Sequence, residues 1–160
     1  MNNEFYLADT IDIIEEVLAS DGEFRMYPRG TSMLPLIVQG KDSVVLRRSI
    51  DPLVKNDIAF YRRDNGQFVL HRIVKVSKNG IYTMCGDNQT ILEPGIRPDQ
   101  IIGYVSAIYK EDKLLNTKSL KHRAYLFLWG RVWARNIIRF PRRCLGKIKR
   151  IFVKTFGKKG

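Results

Sequence analysis

The chain has 160 residues, enough for one domain with a modest core and an appendage. Its net charge of +12 is unevenly placed: residues 1–112 carry 13 Lys and Arg against 16 Asp and Glu, whereas residues 113–160 carry 15 basic residues and no acid. Two cysteines, Cys85 and Cys144, and two histidines, His71 and His122, lie too far apart for a disulfide framework or a structural zinc site, so no cofactor or metal is expected.

Residues 6–20 read as an amphipathic helix, with Leu7, Ile11, Ile14 and Leu18 on one side, acids on the other, and Asp21-Gly22 as its end. This acidic start lacks the basic, apolar pattern of an export signal, so neither secretion nor a membrane anchor is expected here. Glu23 to Tyr27 already alternates as a strand does, which leaves no helix-turn-helix headpiece.

From Phe24 to Lys110 the pattern is β. Ser43 to Arg47 and Asp57 to Arg62 are short strands, with Asn56 to Phe60 expected as core and edge. A turn at Asp64-Asn65-Gly66 returns the chain through Gln67 to Val76, and a second at Lys78-Asn79-Gly80 precedes Ile81 to Cys85. A break at Gly86 to Pro98 leads into Ile101 to Tyr109, and Glu111 to Ser119 is a polar linker. Short strands joined by tight turns predict a mainly β fold, a coiled antiparallel sheet with loops at one end free to carry chemistry.

Three stretches could carry that chemistry. Gly30-Thr31-Ser32-Met33-Leu34-Pro35-Leu36 presents one hydroxyl, Ser32, in a tight setting. Glycine permits close approach of the backbone and Pro35 fixes the chain direction, although serine between such residues is ordinarily just a turn. His71 stands in Val-Leu-His-Arg-Ile-Val, where a strand histidine satisfied by a carbonyl is the ordinary reading. Cys85-Gly86-Asp87-Asn88-Gln89, followed by Glu93-Pro94-Gly95, offers two acids, in a sequence that turn chemistry alone also explains. A serine nucleophile needs a base, and a histidine base is commonly oriented by a carboxylate. Arg72 is either an ion-pair partner for Asp87 or a solvated strand residue.

Together the order Gly-x-Ser-Met-x-Pro, then His-Arg-Ile, then Gly-Asp-Asn with an acid six residues on resembles the signal peptidase I superfamily, which includes LexA-type self-cleaving repressors. The resemblance spans about residues 24–109 and implies a coiled β-sheet platform that hydrolyses one bond in an extended segment, with a preference for small residues before the cut. Most of the family uses a lysine base; histidine here is similar to the archaeal and endoplasmic reticulum type. It implies Ser32 as nucleophile, His71 as general base and Glu93, where the family has Asp, as orienting acid, with Asp87 as second candidate or loop-structuring residue. Gly30 replaces a serine that helps the oxyanion hole in signal peptidases, as in the repressor branch. The oxyanion would then rest on backbone N–H groups near Ser32, with help from Thr31. Met33 is expected to pack under the loop, and Leu34 and Leu36 to line the substrate groove.

The domain reading is therefore a catalytic unit over residues 1–112 and a basic tail over 113–160. In the tail Leu126, Trp129, Trp133, Ile137 and Phe140 share one helical face and Arg131, Arg135 and Arg139 the other, ended by Pro141. The apolar run Ala124 to Trp129 falls far short of the roughly 20 residues needed to span a bilayer. Trp and Phe interleaved with Lys and Arg favour an anionic membrane surface, on the cytoplasmic face, over the alternatives of nucleic acid or of packing on the β domain. The function expected is a serine endopeptidase processing a protein or peptide precursor; the rival is a LexA-like regulatory or nucleic-acid-binding module with at most self-cleaving activity.

Overall fold

A computed structural model of the chain describes residues 3–129. The fold is mainly β: a single antiparallel sheet with two helices among the described residues. Helix α1 (Asn3–Ala19) precedes strands β1 (Phe24–Met26), β2 (Asp42–Arg47), β3 (Ile58–Arg62), β4 (Phe68–Val76), β5 (Tyr82–Cys85), β6 (Glu93–Ile96), β7 (Ile101–Lys110) and β8 (Lys113–Leu114), and α2 (Leu120–Trp129) follows.

The spacing that predicts α1 also buries it, since Ile11, Ile14 and Leu18 all enter the core. Its end is a Schellman motif: Gly22 N–H donates to Val17 O (2.9 Å) and Asp21 N–H to Leu18 O (3.3 Å), with Asp21 at φ 57°. A Cβ at Gly22 would lie 2.7 Å from Val17 O, so glycine is required there by close approach.

The strands lie in the order β1-β2-β7-β3-β4-β5-β6. β7 is the longest: β2 takes one edge, and β3 then β8 take the other. Successive residues of β3 point to opposite faces. Ile58 and Phe60 join a core under α1 with Val44, Leu46 and Ile108, while Ala59 and Tyr61 join a second core with Ile73, Tyr82 and Met84. Its first four residues are buried accordingly.

Two expectations are corrected. The segment Asn56 to Phe60 supplies no edge, because β3 is hydrogen-bonded between β7 and β4. The break at Gly86 to Pro98 contains a strand: Pro94 and Gly95 are tolerated in β6 because it is the last strand of the sheet and pairs only with β5. The stretch 111–119 turns at Glu111 and Asp112, both at positive φ, and pairs β8 back on β7. Beyond it Leu115 and Tyr125 pack against the core that holds α1.

Candidate active site

The serine loop is held from both ends. Gly30 adopts φ +93°, a conformation that favours glycine, and its N–H donates to Gln39 Oε1 (2.6 Å). Within the loop Leu34 N–H bonds Thr31 O (3.3 Å) and Ile37 N–H bonds Met33 O (3.0 Å). Met33, Leu36 and Ile37 are buried in the core, so Met33 packs under the loop as expected, and Leu36 is a core residue. The far end is clamped by a charge pair that nothing in the pattern of residues announces. Lys110 at the end of β7 pairs with buried Asp42 and donates to Leu36 O (2.9 Å), while Asp42 accepts from Val38 N–H (2.7 Å). Ser32 is left half-buried on top.

The Gly86 loop grips this turn directly. Asn88 N–H donates to Ser32 O (2.6 Å) and Asn88 Nδ2 to Thr31 O (3.0 Å). Its own anchor is Asp87, whose two carboxylate oxygens each accept from the Arg72 guanidinium at 2.7 Å and one also from the Tyr125 hydroxyl at 2.6 Å. Both charged side chains are buried, at 2% and 0% exposure. Arg72 is thus an ion-pair partner, and Asp87 anchors the loop through it.

His71 is 3% exposed on β4, opposite Ala59 of β3. In the β4–β5 pairing Arg72 faces Cys85, so Gly86 comes level with His71 at the strand's end. A Cβ on Gly86 would lie 2.7 Å from Ser32 O and 3.1 Å from His71 Nε2, so the two residues meet across the space that this glycine leaves empty. No hydrogen bond joins Ser32 Oγ to His71 among the described residues, and catalytic contacts of this kind commonly tighten only with substrate.

The other ring nitrogen faces an acid through an intermediary. His71 Nδ1 is 3.9 Å from Glu93 Oε2, too far for a hydrogen bond. Between them stands the Tyr61 hydroxyl, 3.3 Å from Nδ1 and 2.9 Å from Oε2. Arg63 forks onto Glu93 with both bonds at 2.6 Å. Burial alone would raise the Glu93 carboxyl, but the bonds from Arg63 and Tyr61 outweigh it and hold it below the ordinary value. Burial, reinforced by the Glu93 charge, pushes the Tyr61 phenol far up, so it stays protonated. Burial also pushes His71 down to about 4 against the opposing pull of Glu93, leaving a neutral imidazole at neutral pH.

The structure therefore brings Ser32, His71 and Glu93 into one neighbourhood and gives Asp87 a different task. Sequence reasoning missed Tyr61, Arg63 and Asn88; alternation in β3 puts Tyr61 on the face of Ala59, but only the β3–β4 register, which the sequence does not state, sets that face beside His71. Beside the site a cleft of about 680 Å³ runs past Arg63, Asn65, Asn88, Gln89, Ile91 and Glu93, with Ile91 and Leu92 exposed along it. No group of side chains able to hold a metal ion occurs among the described residues. Of the tail, residues 113–129, with β8 and α2, fall within the described residues, and no helix among the described residues is long and apolar enough to cross a membrane. Arg131, Trp133, Arg135 and Arg139 lie outside the described residues, as does the side chain of Trp129. Comparison with protein-family models, curated proteins and solved structures finds no match.

The assignment of Asp87 is tested by stability. Asp87→Ala leaves the Arg72 guanidinium buried without a counter-charge and should cost about 3–5 kcal/mol in denaturant unfolding. The double variant Arg72→Met/Asp87→Leu should recover much of that loss, because it removes the stranded charge.

Proposed function

We propose that the chain is a serine endopeptidase similar to the signal peptidase I and LexA-type superfamily, with the histidine-based site of its archaeal and endoplasmic reticulum members. It would cleave one bond in an extended segment of a protein or peptide precursor. The observation that carries this reading is the orientation of His71. One nitrogen is turned toward Tyr61 and an arginine-held acid, the other toward the glycine against which Ser32 is packed. A histidine present only to fill a strand needs neither neighbour.

On this reading Ser32 Oγ attacks the carbonyl carbon of the scissile peptide as its proton passes to His71 Nε2. The oxyanion would rest on backbone N–H groups near Ser32; the loop's internal backbone bonds begin at Leu34, so those of Ser32 and Met33 are not used within it. Thr31 is exposed on the same turn, and the Gly30 N–H is already committed to Gln39. His71 then gives its proton to the amide nitrogen, the C–N bond breaks, and the amine fragment leaves with that proton. Water next yields a proton to His71 and its hydroxide to the acyl carbon; the acyl–Oγ bond then breaks, His71 returns that proton to Ser32 Oγ, and the carboxylic acid is released. The Glu93 carboxylate, behind Tyr61, supplies the negative charge that favours the transient imidazolium. The cleft beside Asn88 offers room for an extended substrate segment.

The tail is the proposed membrane contact. α2 leaves Phe127 and Leu128 exposed and leads into residues 130–160, which hold eleven Lys and Arg and no acid. Each basic residue near an anionic leaflet contributes about 1 kcal/mol, which would place the enzyme peripherally on a cytoplasmic membrane face. The protein should float with vesicles containing phosphatidylserine and not with phosphatidylcholine alone, and a chain lacking residues 130–160 should lose that binding; equal binding to both vesicle types would reject the assignment.

Peptidase activity on an extended peptide library tests the chemistry. Ser32→Ala and His71→Ala should each reduce kcat by on the order of a million-fold, and full activity in either folded variant would sink the mechanism. The acid limb of kcat/KM reports protonation of the base in the free enzyme. Glu93 and Asp87 pull His71 up and Arg63 pushes it down, but burial dominates and sets it at about 4. A lowered value keeps the base neutral to lower pH, so activity should persist below pH 6.5 and be lost only near pH 4. Half-loss at pH 6.5 or above would contradict the buried base.

A further inference from the structure

We infer that Tyr61 is a positioning residue: its hydroxyl stands between His71 Nδ1 and Glu93, fixes the imidazole as the Nδ1–H tautomer, and thereby leaves the Nε2 lone pair toward Ser32. The inference deepens the peptidase reading and rests on it for its meaning, but its chemical content stands on hydrogen-bond valence alone.

The valence argument starts at Arg63. Its guanidinium donates to both oxygens of Glu93, through Nε to Oε1 and through Nη2 to Oε2. An arginine has donors only, and a carboxylate so engaged is ionised and can only accept. The Tyr61 hydroxyl, 2.9 Å from Oε2, must therefore spend its single hydrogen on Glu93. Toward His71 the tyrosine oxygen has only lone pairs to offer. A contact of 3.3 Å between that oxygen and Nδ1 is favourable only if Nδ1 carries the hydrogen. In the neutral imidazole the other nitrogen is then the acceptor, and Nε2 is the one that faces Gly86 and the serine loop.

Packing leaves the arrangement little freedom. Tyr61 is fully buried and His71 nearly so, on adjacent strands held by the β3–β4 ladder. Their rings lie 6.3 Å apart at 57°, so the hydroxyl meets the edge of the imidazole. The Nδ1–H form is the less populated tautomer of free histidine, so selecting it requires a fixed acceptor at Nδ1. Glu93 at 3.9 Å cannot serve directly. The tyrosine supplies that acceptor and relays the carboxylate's charge to the ring.

The test reads the tautomer without substrate. Long-range proton–nitrogen NMR on histidine-labelled protein at pH 7.5, with the His71 signals assigned by their loss in His71→Ala, should place the proton on Nδ1 in the wild type. Tyr61→Phe, which removes one buried oxygen, should shift His71 toward Nε2–H and lower kcat about a hundredfold, the lower end of general-base contributions, with KM unchanged. Glu93→Gln should weaken the preference for Nδ1–H, because an amide can present its own hydrogens to the tyrosine oxygen. A wild-type His71 protonated on Nε2, or a Tyr61→Phe variant that keeps the Nδ1–H form and full kcat, would overturn the inference. Should Tyr61→Phe fail to fold, the wild-type spectrum alone decides. An inactive wild type with Nδ1–H would remove the peptidase reading and leave the relay standing. An active one with Nε2–H would do the reverse.

Discussion

The buried ion pair between Arg72 and Asp87 is the contact on which the rest of the site depends. Burying two charges is costly, and such a pair is tolerated only where geometry and further hydrogen bonds satisfy both partners. Here the guanidinium meets the carboxylate in two parallel bonds, donates onward to Asn56 O (2.6 Å), and the carboxylate gains the Tyr125 hydroxyl. The chain following β5 is therefore fixed to β4, to the turn before β3 and to α2 at one point. From that point Asn88 reaches the carbonyls of Thr31 and Ser32. The serine loop has no strand of its own to hold it there. Its position is borrowed from the pair at one end and from the Lys110–Asp42 clamp at the other.

The same pair keeps the two carboxylates of the site apart in function. Asp87 and Glu93 each take an arginine, but on opposite sides of the histidine's strand: Arg72 shares its face with the α1 core, whereas His71 points with Tyr61 to the other. The oxygens of Asp87 accept three bonds from a buried guanidinium and a tyrosine, which anchors the loop to β4 and α2. Glu93, three-quarters buried at its side chain and held by Arg63 at its rim, remains near enough to act through one hydroxyl.

Much of this was legible in the residues and some could not have been. Helical spacing placed α1 because Ile11, Ile14 and Leu18 answer a single periodic demand. The turns at Asp64 to Gly66 and Lys78 to Gly80 bounded β4 because hairpin turns have strong local chemistry. Strand β6 escaped notice because proline and glycine argue against a strand, and only its edge position makes them harmless. Ser32, His71 and the two acids were recognisable as chemical types in a familiar order. Which acid faces the histidine was not, since that depends on which strand face each residue occupies and on which arginine reaches it. Tyr61, in a run Ile-Ala-Phe-Tyr-Arg, looks like any core aromatic; its role follows from lying diagonal to His71 on one face of a register that sequence does not state.

The glutamate at position 93, where the resembling family has aspartate, acquires a physical meaning from this geometry. If an acid contacted the imidazole directly, an extra methylene would bring it too close or force its strand outward. With a tyrosine oxygen interposed, the path from strand to histidine grows by one hydrogen bond, and the acid meets the hydroxyl while its other oxygen turns to Arg63. The hydroxyl also changes what the acid does to the base. A carboxylate bonded directly to the imidazole would hold its pKa up; set one group further back it does so weakly, and burial prevails. The resting imidazole is thus held neutral at neutral pH. Its strength in the proposed reaction would come from the charge that Glu93 presents once the ring becomes positive.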